Sequence, residues 1–414
     1  MSEARVVGPI GATAIVAGSM LGVGILLTPP VVAASVPSLA GYFGLWVAGA
    51  VVAAAGGMVY AELGAMLPEA GGDVVFLRRA FGRGVALLCG TVIFVGAFAG
   101  SIAAMAVALC TYQTQTLLGA ALGPNAPDLS VMPVAGVPVQ GDQLLGAAVI
   151  VALTALNALG ARTSAGVQTV LTVVPLVGLA LLGAWGLMSG QADVTPPAGE
   201  VHDVGAAWLG VYFAYAGWPA IVYVAGEVRD PGRTLPVAVL GGTAIVAALY
   251  VLLCGAFVTV LGFEGLSTAG EAGTALARAL LGESAAVGVA ALVGLALLAS
   301  VNATVLGGAR VALAMARQLG VDALTTLNAH GTPQRLLLAQ AVLAVAFALT
   351  GTFQVLMEWT SVAMLVAGAL TVLAHGWLRH VEPELPRPFR AWAHPLPTVV
   401  YVGSSVVALG LLLL

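Results

Sequence analysis

The sequence contains no lysine, and charged residues of any kind make up only 8% of its 414 positions. A soluble globular protein carries roughly 25% charged residues, so a deficit this deep excludes a water-facing surface of normal extent. A soluble domain is missing too, because the longest polar stretch, about 119–142, has only the length of a loop. The net charge of -4 argues against nucleic acid as a partner. Cysteine is scarce: Cys89, Cys110 and Cys254 sit apart inside apolar runs, an odd set that reads as packing and not as a disulfide or metal site. The histidines do not cluster either. His202, His330, His380 and His394 fall in loops or at edges and His375 near a helix end, so neither a metal-ligand spacing nor a Ser/His/Asp set emerges. No enzyme activity, cofactor or metal is expected.

What fills the chain is apolar: 60% of residues are hydrophobic, in runs that match the roughly 20 residues needed to cross hydrocarbon as a helix. Charged and Pro/Gly-rich breaks divide them into eleven expected spans, at 7–35, 41–66, 84–118, 142–161, 165–190, 205–227, 235–263, 284–316, 334–351, 354–378 and 394–413. The segment Met1–Arg5 is too weakly basic for a secretory leader, and the apolar run after it is too long, so it reads as the first span. Two further pieces read as interfacial helices: 71–83, which mixes apolar residues with Arg78, Arg79 and Arg83, and 264–281, with Glu271 and Arg278.

Arginine placement tests this division independently. With the N-terminus in the cytoplasm, thirteen of the fourteen arginines fall on the inner side, and only Arg278 lies outside. Basic residues are retained on the cytoplasmic side, and a miscounted helix would scramble that bias. The expectation is a single all-α polytopic domain over residues 1–414 in the cytoplasmic (inner) membrane, with the lipid bilayer as its surroundings. Five spans precede about residue 200 and five follow. An odd number per half makes the second half enter from the opposite side, which is a known way to build a transporter with a midplane site. The expected repeats are about 7–190 and 205–378, with an accessory helix at 394–413.

Two spans contain helix-breaking residues near their middle. The first carries Gly18-Ser19-Met20-Leu21-Gly22-Val23-Gly24-Ile25. The small-xxx-small pair Gly18 and Gly22 fits close helix packing. An unwound stretch is the other reading, and its free N–H groups would face an anionic group. The sixth span, first of the second half, carries Phe213-Ala214-Tyr215-Ala216-Gly217-Trp218-Pro219, in which Pro219 lacks an N–H and frees a carbonyl one turn earlier. N–H groups opposite freed carbonyls suit a zwitterion, with the carboxylate at one break and the ammonium at the other.

At these residues the chain resembles the amino acid–polyamine–organocation (APC) family of transporters. GSMLGVGILLTPP (18–30) is similar to that family's G-x-x-I-G-x-G-I-F element. Tyr60-Ala61-Glu62-Leu63-Gly64 with Pro68-Glu69-Ala70-Gly71-Gly72 resembles its second-helix end and following loop. FAYAGWPAIVYVAGEVRDPGRTLP (213–236) resembles its sixth helix and the tail after it. Ala309-Arg310 with Ala314-Met315-Ala316-Arg317, and Leu385-Pro386-Arg387-Pro388-Phe389-Arg390, match further family segments in order. The resemblance implies the five-plus-five inverted-repeat fold with helices 1 and 6 broken, and amino-acid substrates. It implies that the carboxylate meets backbone at Gly22, Val23 and Gly24. The ammonium would meet carbonyls near Met20 and in Phe213, Ala214, Tyr215 and Ala216, beside Gly217, and Phe213 would be an aromatic gate.

Departures from the family pattern narrow the expectation. Val23 stands where a hydroxyl residue is common, so backbone alone would hold the carboxylate. Pro175 occupies the place of the fifth-helix lysine of many members, which favours exchange over that lysine mechanism. Pro219 stands where members taking cationic substrates have an acidic residue, which points to neutral amino acids. Another small organic amine, or a non-transporting accessory subunit, is the alternative.

Among other polar residues, Glu62 and Glu227 lie at cytoplasmic helix ends. They are either structural clamps to Arg233, Arg310 or Arg317, or proton-linked gates, since a carboxylate inside a membrane helix is a functional hypothesis by default. Glu358 reads as an outer, solvated residue. Ser300 and Thr304 share a face of the eighth span, with Asn302 between them. Their hydroxyls either bond their own helix or, with first-helix carbonyls, hold sodium. A coupling proton ranks ahead of sodium.

Overall fold

The computed structural model describes residues 5–36, 38–123, 132–134, 137–196, 203–351 and 353–411, and the expectation for His202 falls outside them. Its principal helices in chain order are α1 (Pro9–Met20), α2 (Val23–Ser35), α3 (Leu39–Met66), α4 (Asp73–Thr114), α5 (Gly141–Ala158), α6 (Ala161–Ser189), α7 (Val204–Tyr215), α8 (Pro231–Ser267), α9 (Ala272–Leu281), α10 (Glu283–Leu319), α11 (Gln334–Thr350), α12 (Phe353–Val381) and α13 (Leu396–Leu411). Among the described residues, eight helices are long and apolar enough to cross a membrane when α1 and α2 are taken as one span. The chain is a multi-pass, helical membrane protein.

Three of the eleven expected spans land on shorter apolar helices, α7, α11 and α13. The physical reason at α7 is local, because the helix stops at Tyr215, four residues before Pro219. The two pieces expected at the interface also differ in detail. The 71–83 piece forms the first turns of α4, set off from the rest of it by Gly82 at φ 85°, a left-handed value that bends the chain. The 264–281 piece begins in the last turn of α8, beyond a bend at Gly262 (φ 69°), and after Ser267 resumes as α9. Glu271 caps α9, its carboxylate accepting from the backbone N–H of Gly273 and, at 2.9 Å, of Thr274. Burial pushes this carboxyl above its ordinary pKa, and those donors oppose the shift. The stretch expected to be a loop, 119–142, contains a small antiparallel pair, Met132–Val134 with Val137–Val139.

Within the bundle, α1, α2 and α7 are packed among α3, α6, α8 and α10. The packing face of α6 is polar. Thr172 donates to the Ala14 carbonyl of α1 at 3.1 Å, and the chain continues through Gln168 to Asn302 at 2.7 Å and Asn157 at 2.8 Å. Each of these side chains is buried, so the network satisfies groups that hydrocarbon cannot. Pro175 is buried in the same helix, one turn beyond Thr172.

Candidate substrate site at two helix interruptions

The glycines of the first span leave Leu21 and Gly22 outside helical geometry, between α1 and α2. Gly22, at the start of α2, has no side chain with which to cap it, so the first N–H groups of Val23, Gly24 and Ile25 lack intrahelical partners. The helix dipole adds partial positive charge at the same place. After α7 the chain turns at Ala216–Pro219 and resumes as the single turn Ala220–Tyr223. Pro219 offers no N–H to the Tyr215 carbonyl four residues earlier.

Glycine allows the two interruptions to touch. A Cβ on Gly24 would run into the backbone of Ala214, and one on Gly217 into the backbone of Ser19 and Met20. Tyr250 of α8 joins them from behind. Its hydroxyl donates to the Met20 carbonyl and lies 3.0 Å from that of Ala214. Trp46 packs edge-on against it and Tyr215 at a tilt. Nothing in the sequence pattern singles out Tyr250, which is separated by long stretches of chain from both carbonyls. Its one proton engages acceptors expected for an ammonium, and proline chemistry leaves the Tyr215 carbonyl open.

All the expected substrate-binding residues gather here. Met20, Gly22, Val23, Gly24, Phe213, Ala216 and Gly217 line one small cavity of about 40 Å³ together with Ser300, Thr304, Met105 and Met364. Ala214 and Tyr215 are buried just behind its wall. Phe213 is half-buried, and no charged side chain lines this space. The Ser300 hydroxyl lies 3.0 Å from the Ser19 carbonyl, and Thr304 donates to Ser300 of its own helix at 2.8 Å. Both hydroxyls are therefore already engaged. Outside the cavity, a vestibule of about 1040 Å³ opens between Thr28, Tyr112, Asp142, Asp203, Gly210 and Glu358.

Away from this cavity lie two buried ion pairs. Glu62, fully buried, accepts from Arg379 Nε at 3.0 Å and from the Ala391 N–H at 2.6 Å, with His375 Nε2 at 3.1 Å and Arg387 Nε at 3.2 Å. Glu227 accepts from Arg310 at 2.8 Å, both side chains almost wholly buried. The structure thus places both gating candidates in ion pairs. Arg310 was among the expected partners; the Arg379, Arg387 and His375 set comes instead from α12 and the loop after it. Beside Glu227 the chain start is stitched to the segment after the second interruption, with Val6 and Val7 N–H donating to the Glu227 carbonyl and Arg229 N–H to that of Val7, each at 2.9 Å. Among the described residues, no group of three or more potential metal ligands forms.

These features have relatives. The amino acid permease family model matches residues 7–414. The b(0,+)-type amino acid transporter 1 of Mus musculus is 27% identical over 98% of this chain and 82% of its own length. The serine/threonine exchanger SteT of Bacillus subtilis (strain 168) is 25% identical over 98% of this chain and 90% of its own. The large neutral amino acids transporter small subunit 2 of Homo sapiens is 25% identical over 93% and 71%. These relatives are transporters and not enzymes. With a match that extends from two residues before α1 to the end of the sequence, the chain belongs to the amino acid permease family.

Proposed function

We propose that this protein is a secondary-active carrier of neutral amino acids, which it moves across the cytoplasmic membrane by alternating access, exchanging one amino acid for another. The observation that carries the reading is the shared cavity of the two interruptions, where unpaired N–H groups at Val23–Ile25 face the turn at Ala216–Pro219. A carboxylate is held at the first and an ammonium at the second. The apolar lining by Val23, Phe213, Met105 and Met364, with no charge, favours a neutral side chain, and the small volume favours a short one. In this reading the two halves are inverted repeats, about 7–190 and 205–378, and the arginine-rich ends of the helices face the cytoplasm with the N-terminus. Exchange is supported by Pro175, which cannot titrate where a coupling lysine would stand, and by the serine/threonine exchanger among the relatives.

Purified protein screened against the amino acids should gain melting temperature with small neutral ones, as expected for ligand bound only to the folded state. Proteoliposomes loaded with an unlabelled responder should then take up the labelled one much faster than empty vesicles. No shift with any amino acid removes the reading in favour of another small amine or a non-transporting subunit. A shift without internal stimulation removes exchange alone.

A further inference from the structure

One buried carboxylate has no part in the scheme above. Asp73 begins α4 behind Gly71 and Gly72, and it is 1% exposed. Oδ1 accepts a hydrogen bond from the Tyr60 hydroxyl, and the donors nearest the rest of the carboxylate are the neutral hydroxyls of Thr371 and Tyr223. The titratable groups that face Asp73 are Tyr60 of α3, Tyr223 of the turn after the second interruption, Tyr212 of α7, Tyr401 of α13 and Cys89 of α4 itself, and the Thr371 hydroxyl of α12 lies beside it. Each of those neighbours is neutral. Among the described residues Asp73 forms no ion pair, in contrast to Glu62 and Glu227.

A carboxylate buried among neutral groups loses more in desolvation than a helix N-terminus returns. The missing partner is a cation. Asp73 lines a cavity of about 60 Å³ whose walls include Ser19, Ala216, Gly217 and Thr304. The same four residues line the cavity at the interruptions, so the two spaces adjoin. About 60 Å³ admits a few water molecules but not the long side chain of a basic amino acid. The cation that fits is a proton delivered by water.

We propose that Asp73 is a proton-binding site through which net substrate uptake is coupled to proton entry. Outside, a hydronium ion gives its proton to the carboxylate, leaving a neutral carboxyl and water. Inside, the carboxyl returns the proton to water, so one positive charge accompanies each neutral substrate. Exchange, in which a second substrate resets the carrier, does not require this step. The proposal rests on the reading that the cavity at the interruptions holds substrate.

The test uses the full chain in proteoliposomes containing a pH-sensitive dye. Net uptake into unloaded vesicles should rise at least fivefold with an acid-outside gradient, with acidification of the lumen. Asp73→Asn should retain the substrate-induced rise in melting temperature and exchange within twofold, while the gradient loses its effect. Tyr60→Phe keeps the carboxyl but removes its donor, and it should shift the pH of half-maximal net uptake. That variant carries the test if Asp73→Asn fails to fold. A gradient without effect on wild type, an equal gradient effect in Asp73→Asn, or an unshifted profile in Tyr60→Phe would overturn the proton site and leave the amino-acid reading standing. Wild-type protein that neither binds nor exchanges any amino acid would overturn that reading instead.

Discussion

At the first interruption the helix gives way only at Leu21 and Gly22, and a new helix starts at once with its N–H groups bare. At the second, the chain turns through Ala216–Pro219 and recovers only as the single turn Ala220–Tyr223, followed by a short tight turn at Ala225–Glu227. One break is built by glycine and presents donors. The other is built by proline and presents an acceptor. The difference follows from the residues: glycine permits any backbone course without removing a hydrogen-bonding group, whereas proline removes a donor and strands the carbonyl one turn back. A zwitterion needs both kinds of group, and proline adds a stranded carbonyl to the acceptors that any helix end leaves.

The comparison can be broken most severely at Gly24. A leucine there would place its Cβ within the backbone of Ala214, forcing the interruptions apart and filling the donor end. Gly24→Leu is expected to abolish substrate binding, read as a complete loss of ligand-induced thermal stabilisation in protein that still purifies folded. Affinity within about twofold of wild type would move the carboxylate site elsewhere.

The tie between the two breaks is the next target. Tyr250→Phe removes a hydroxyl shared by the Met20 and Ala214 carbonyls. Stranding buried carbonyls costs about 1–3 kcal/mol, so the unliganded protein should melt several degrees lower and bind substrate about tenfold more weakly, 1.4 kcal/mol being a factor of ten. Unchanged melting and affinity would show that the breaks hold their spacing without it.

The smallest effect is expected at Phe213, half-buried at the side of the cavity. Phe213→Ala keeps both breaks and removes an apolar cover, worth about 0.5–1.5 kcal/mol beyond its area when aromatics pack well. Affinity should fall by about threefold to tenfold, and exchange in loaded vesicles should slow. Wild-type kinetics would take Phe213 out of the gate.

Much of this molecule is legible in its sequence because lipid imposes one rule everywhere: apolar runs become helices, and irregular backbone needs a reason. The runs gave the spans, and Gly22 and Pro219 marked where two of them end early. Side-chain partnerships were less accessible. Spacing along a span cannot show that Arg379, Arg387 and His375 converge on Glu62, because the chain after α12 must first fold back to α3. Asp73 is hidden from sequence for a related reason. In GGDVVFLRRAFGR it sits beside arginines and reads as part of a surface helix, but Gly71 and Gly72, at φ 118° and 51°, turn it inward beneath Tyr60.

The stitching of Val6 and Val7 to Glu227 and Arg229 makes a single lever of two segments that are far apart in the chain. Backbone hydrogen bonds on both sides of Val7 leave the two strands little freedom to slide, so a displacement of the stub before α1 is passed to the loop after the second interruption, and from Glu227 to Arg310 in α10. A pair of fluorescent or spin labels placed on the stub and on that loop would travel together and report a constant separation. Labels set across the Glu62–Arg379 seam would register any parting of α3 from α12. An extension fused ahead of Arg5 would hang from the moving end of that lever, where its bulk would act directly on the carrier's stroke.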